Sequence, residues 1–169
     1  GGTGEGGGGG RIMIKYNTSL VNNSHLLANG SNGGVTGTVG LYDIDHDHLY
    51  AVQGWEWSAV DQNNFNISNA TMLPGTVVRG TGAIVTLNST YIMDGATFAG
   101  TNGSTEIQAE FFYVRNATFN GTAAGVKFVY QNRYHDNHSV IITDSTFKLG
   151  QLNTSGIEFG GVAGNVNNL

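Results

Sequence analysis

One apolar and polar pattern recurs four times along the chain, in NFNISNATM (64–72), TYIMDGATF (90–98), FYVRNATF (112–119) and VIITDSTF (140–147). Each copy carries an apolar residue (Ile67, Met93, Val114, Ile142), one variable residue and then a turn-former (Asn69, Gly95, Asn116, Asp144). A small residue follows (Ala70, Ala96, Ala117, Ser145), then Thr71, Thr97, Thr118 or Thr146, and a large apolar side chain, Met72, Phe98, Phe119 or Phe147. β-Branched and aromatic residues around these segments favour strands. Asn and Asp tolerate the left-handed backbone region and bond their own main chain, so the position before each small residue is expected to turn the chain. Helical spacing is also present over 106–115, but the run FFYV within it favours strand.

The threonines are separated by 26, 21 and 28 residues. A period of 20–30 residues built from strand units is the mark of a solenoid, in which no single segment can bury its apolar face alone and stacked equivalents make a continuous interior. The expected fold is therefore all-β: a right-handed parallel β-helix over residues 11–169, preceded by a Gly-rich arm over 1–10. A β-sandwich or jelly roll whose strands share the motif by coincidence is the alternative. The pattern V-x-I-x-D/N-S/A-T-F resembles the coils of the right-handed parallel β-helix superfamily, the fold of pectate lyases and many surface adhesins. The opening GGGGGRIMIKY resembles the glycine-rich preludes of large β-helical cell-surface proteins. That resemblance implies an architecture more than an activity, because the fold hosts enzymes and inert rods alike.

Composition narrows the function. Charged residues are only 11% of the chain and the formal balance is −5, with seven Lys and Arg, which excludes the basic patches that nucleic acid requires. No run of 18 apolar residues crosses a bilayer. The chain has no cysteine, so disulfides, zinc thiolates and thiol nucleophiles are excluded.

Eleven N-x-S/T triplets begin at Asn17, Asn22, Asn29, Asn66, Asn69, Asn88, Asn102, Asn116, Asn120, Asn137 and Asn153. Chance pairing of this Asn, Ser and Thr content gives about 3. The excess predicts an N-glycosylated extracellular protein in which hydrated sugars replace missing surface charge. Asn69 and Asn116 occupy the turn position of the repeat and are expected to be structural. Asn120 is expected beyond the repeat in a Gly-containing turn, as a better acceptor.

DIDHDH (43–48) is the most ligand-like run. As an extended strand it would place Asp43, Asp45 and Asp47 on one face, a candidate Ca²⁺ site and the single cofactor suggested, with His46 and His48 on the other. YHDNH (134–138) is a second Asp/His cluster, and a polar loop is the competing reading for both. Trp55 and Trp57 of WEW share one side of a strand, either filling the core or, exposed, stacking on sugar rings. Formal G-x-G-x-x-G matches in the Gly tract have no flanking strand and helix, which removes a phosphate site. Glu5, Glu56, Glu106, Glu110 and Glu158 have no repeated partner, and nothing singles out Arg115 or Lys127 as a base. The expectation is a non-enzymatic structural protein of the cell exterior that self-associates into a filament or sheath, or forms a segment of an adhesin. A polysaccharide-binding or polysaccharide-degrading β-helix is the alternative.

Overall fold

The computed structural model describes residues 9–17, 26–30, 36–58, 65–100, 105–121, 126–130, 140–149 and 157–161. These contain strands and no helix. In chain order they are β1 (Arg11–Tyr16), β2 (Thr38–Asp43), β3 (His48–Ala51), β4 (Gly54–Ser58), β5 (Phe65–Met72), β6 (Val77–Thr81), β7 (Ile84–Asp94) and β8 (Thr97–Gly100). They continue as β9 (Thr105–Ala109), β10 (Phe111–Arg115), β11 (Thr118–Gly121), β12 (Val126–Tyr130), β13 (Val140–Thr143), β14 (Thr146–Leu149) and β15 (Ile157–Gly161).

Two sheets result. The larger has ten strands, ordered β1-β2-β3-β5-β7-β9-β12-β15, with β10 joined to β7 and β13 to β10; the smaller runs β14-β11-β8-β6-β4. All pairings between named strands are parallel except β2 with β3, a hairpin. From β3 to β9 successive strands alternate between the sheets; β9 and β10, and β12 and β13, then follow one another within the larger sheet, and paired strands from β3 onward lie about 20 to 31 residues apart.

The crossing from the larger to the smaller sheet shows why the passes stay in step. Gly95, Asn116 and Asp144 all have left-handed backbones, with φ of 65°, 48° and 49°. Glycine accepts this conformation freely, and Asn and Asp accept it better than other side chains. Ala96 and Ala117, each 1% exposed, follow two of them and let the chain turn tightly into the interior. Consecutive turns are stitched by backbone bonds: Gly95 N–H donates to Arg115 O at 2.9 Å, and Asn116 N–H to Thr143 O at 3.2 Å. Thr97, Thr118 and Thr146 then stand in register, as do Phe98, Phe119 and Phe147.

Thr71 and Met72 do not join these columns, contrary to the four-fold alignment. They lie in β5 of the larger sheet, opposite Ile92 and Met93. The turn of that pass comes later, at Leu73-Pro74-Gly75-Thr76, where Thr76 N–H donates to Leu73 O and Gly75 has φ of 81°. Proline at the second position and a left-handed glycine at the third make a type II turn. The true counterparts of Thr97 and Phe98 are therefore Val77 and Val78. Asn69 is correspondingly in mid-strand beside Thr90, next to a register shift between Ile67 and Asn69, and is not the equivalent of Asn116.

Inward positions form one core. Leu49, Ala70, Tyr91 and Phe112 meet along one row, and Ala51, Met72, Met93 and Val114 along the next. From the smaller sheet come Trp55, Val78, Phe98 and Phe119. Phe119 is 1% exposed between Phe98 and Phe147, with centroids at 6.3 Å and 5.0 Å and rings 24° and 7° from parallel. Replacing Phe119 by Ala is expected to cost about 3–5 kcal/mol of stability by urea titration. Phe147, 38% exposed at the end of the row, is expected to cost clearly less when truncated.

Candidate functional site

DIDHDH does not extend as a strand. Asp43 ends β2, His48 begins β3, and the residues between them form the hairpin turn. Asp43 caps that turn: its carboxylate accepts the backbone N–H of Asp45 at 3.1 Å and of His46 at 3.2 Å, and lies 2.8 Å from His46 Nδ1. Asp47 adopts a left-handed backbone with φ of 47°. Its carboxylate accepts the Tyr42 hydroxyl, and the backbone N–H and Oγ of Ser68 both at 2.7 Å. Two of the three aspartates are thus spent on local backbone and side-chain donors. The expected Ca²⁺ row of Asp43, Asp45 and Asp47 does not form, because the run folds into a hairpin turn in which Asp43 and Asp47 bind separate sets of donors. Among the described residues no three His, Asp or Glu side chains could jointly hold a metal ion.

His48 stacks on Tyr50 with centroids at 4.0 Å and hydrogen-bonds Thr71 Oγ1 at 2.8 Å. Burial holds its pKa below the usual histidine value. Burial pulls the Asp47 carboxyl upward, but the bonds from Tyr42 and Ser68 outweigh it and leave the pKa below the usual aspartate range. Arg115 makes an exposed ion pair with Asp94, its neighbour across the β7–β10 pairing, at 2.5 Å. It therefore ties two passes together at the turn rather than standing ready as a base.

Trp55 and Trp57 are 7% and 0% exposed, and their rings meet edge to face at 5.4 Å and 72°. They fill the core and offer no sugar-stacking platform. Trp55 does border a cavity of about 520 Å³ at the β1 end of the sheets, with Leu49, Ile67 and Tyr42 along its walls. Met13, Lys15 and Arg11 on β1 overhang it. Arg11 reaches Glu56 of β4 at 3.8 Å across the gap. No motif in the sequence pointed to this opening, since it is made by β1 and β2 extending the larger sheet past the last strand of the smaller one.

The acceptor triplets fall into distinct settings. Asn17, Asn29, Asn88 and Asn116 are exposed, although Asn29 Oδ1 accepts from Gln53 Nε2 at 2.7 Å. Asn116 thus combines a structural turn with a surface position. Asn69 is half-buried in β5, and Asn120 is half-buried within β11 beside Ala99 and Lys148, not in a turn beyond the repeat. Asn66 lies in β5. Asn22, Asn102, Asn137 and Asn153, the YHDNH cluster and residues 1–8 of the Gly-rich arm lie outside the described residues.

Comparison of the chain with family models, curated proteins and solved structures gave no match.

The Asp47 geometry carries a pH dependence of known sign. A carboxyl whose folded pKa is depressed stabilises the fold above its unfolded value, about 3.9, and loses that contribution as pH falls through the folded value. Asp47→Asn keeps a residue that tolerates the left-handed turn but removes the charge. The variant is expected to be less stable than the parent at pH 7, with the gap closing progressively below about pH 4 in thermal melts.

Proposed function

We propose that the chain is a right-handed parallel β-helix serving as a glycosylated structural segment outside the cell, in a filament or sheath or within an adhesin. The observation that carries this reading is the pairing of an in-register parallel framework with exposed sequon asparagines on its outside. Parallel passes bury their apolar residues inward and leave neutral polar side chains outward, so the outer surface has few charges to keep copies apart. Glycans on Asn17, Asn88 and Asn116 would supply that separation. The absence of cysteine suits an exterior role in which the stacked ladder alone holds the fold.

Two observations weigh against a polysaccharide-degrading role. The tryptophans that would stack on sugars are core residues, and Asp43, Asp47 and Asp94 are engaged in the hairpin turn and an ion pair. The ends of the rod are also unequal. At the β1 end an antiparallel strand, β2, lies over β3, so a second copy cannot simply continue the parallel stack there.

Secretion from a glycosylating host followed by peptide N-glycosidase in heavy-oxygen water tests the reading, because each occupied asparagine becomes a labelled aspartate. Asn17, Asn88 and Asn116 are expected to carry label. An unlabelled chain, or release of new reducing ends from acidic polysaccharides by the purified protein, contradicts it.

A further inference from the structure

The cavity beside β1 exists because the larger sheet outruns the smaller one. β4 ends the smaller sheet, whereas β2 and β1 carry the larger sheet two strands beyond β3. Two inward rows of the core therefore continue past the last strand of the smaller sheet. One runs from Tyr91 through Ala70 and Leu49 to Tyr42 and ends on Lys15; the other runs from Met93 through Met72 and Ala51 to Gly40 and ends on Met13. A lysine thus ends a row that is otherwise filled by core side chains. Trp55 reaches this space from the smaller sheet because residue 40 is glycine, since a Cβ there would come within 2.6 Å of Cζ3 of its ring. Met13, Tyr42, Leu49, Trp55 and Ile67 border a volume of about 520 Å³, a size that suits a small molecule.

Charge at the mouth is uneven. Arg11 is engaged with Glu56 at 3.8 Å. Among the described residues no carboxylate pairs with Lys15, whose ammonium lies 5.9 Å from the centre of the Tyr42 ring. The three charged groups leave one net positive charge beside an apolar chamber. Arg11 and Lys15 also blunt the free edge of β1 against other strands, which leaves the space beneath them open to a small solute.

We propose that this cavity binds a small monocarboxylate with an apolar body, an alkyl or aryl acid. The body lies against Met13, Leu49, Ile67 and the two aromatic rings, and the carboxylate stays at the mouth on Lys15. Covering ligand surface and Met13, which is 48% exposed, supplies the affinity, and the lysine selects the anion. A neutral sugar fits poorly, because the Tyr42 hydroxyl is already given to Asp47 and the remaining walls are largely apolar. The site is independent of the glycosylated structural role proposed above.

Trp55 and Trp57 are the chain's two tryptophans, and Trp55 borders the cavity, so intrinsic fluorescence reports entry. Titration of the full chain with sodium octanoate is expected to change the emission saturably, with a Kd of about 0.1 to 1 mM. Octylammonium, with the same body and the opposite charge, is expected to bind at least about tenfold more weakly. Lys15→Gln is expected to weaken octanoate about two- to fivefold, with Lys15→Arg restoring it. Lys15→Glu is expected to reverse the preference in favour of octylammonium while leaving the melting midpoint nearly unchanged, because the side chain is exposed. Met13→Glu, which sets a carboxylate over the apolar body, is the second test should Lys15→Glu not fold, and is expected to weaken octanoate binding. No saturable response to octanoate up to about 10 mM, equal affinity for octylammonium, or octanoate binding unchanged in both Glu variants overturns the proposal.

Discussion

A strand with one apolar face is stable only when an equivalent strand lies beside it, and parallel strands are equivalent only if every pass of the chain turns at the same place. The left-handed position before each inward step imposes that condition here. Gly75, Gly95, Asn116 and Asp144 occupy it, and backbone bonds join Gly75 to Gly95, Gly95 to Arg115 and Asn116 to Thr143. Holding a non-glycine residue in this region costs about 1–2 kcal/mol. A fully buried phenylalanine contributes about 1.5–3 kcal/mol, so locking the turn is favourable wherever it delivers a Phe98 or Phe119 to the interior. Slipping a pass by one residue would turn those rings outward and point Thr97 and Thr118 in.

Much of this was legible in the sequence from 90 to 147, where Asn, Asp or Gly precedes a small residue, Thr and Phe. The left-handed requirement selects the first and tight packing the second, so local composition reports the turn directly. The first pass was misread because it meets the same demand by other chemistry. Pro74-Gly75 makes the turn, Thr76 stands in the small position and Val78 takes the place of phenylalanine, while Asn69-Ala70-Thr71-Met72 imitates the motif inside a strand. Spacing alone could not separate imitation from function. Likewise, DIDHDH reads as alternating ligands only if it is extended. Asp47 tolerates a left-handed backbone and Asp43 can cap two N–H groups, and those local properties folded it into a hairpin instead. The overhang of β1 and β2 was illegible because it depends on which strand of the other sheet comes last.

These corrections bear on function in one direction. Residues that looked available for metal or sugar, Asp43, Asp47, Trp55 and Trp57, are committed to turn and core. Among the described residues, exposed sequon asparagines and charged pairs such as Arg115 with Asp94 face outward.

Because the chain has no cysteine, paired substitutions read the columns without background. Thr97→Cys with Thr118→Cys, and Thr71→Cys with Thr97→Cys, form the decisive comparison under mild oxidation, scored by mass after alkylation. Neighbouring strands lie about 4.8 Å apart, within reach of a disulfide, so the first pair is expected to close and the second to remain as free thiols. Closure of the second pair with failure of the first would contradict the stacking on which the whole account stands.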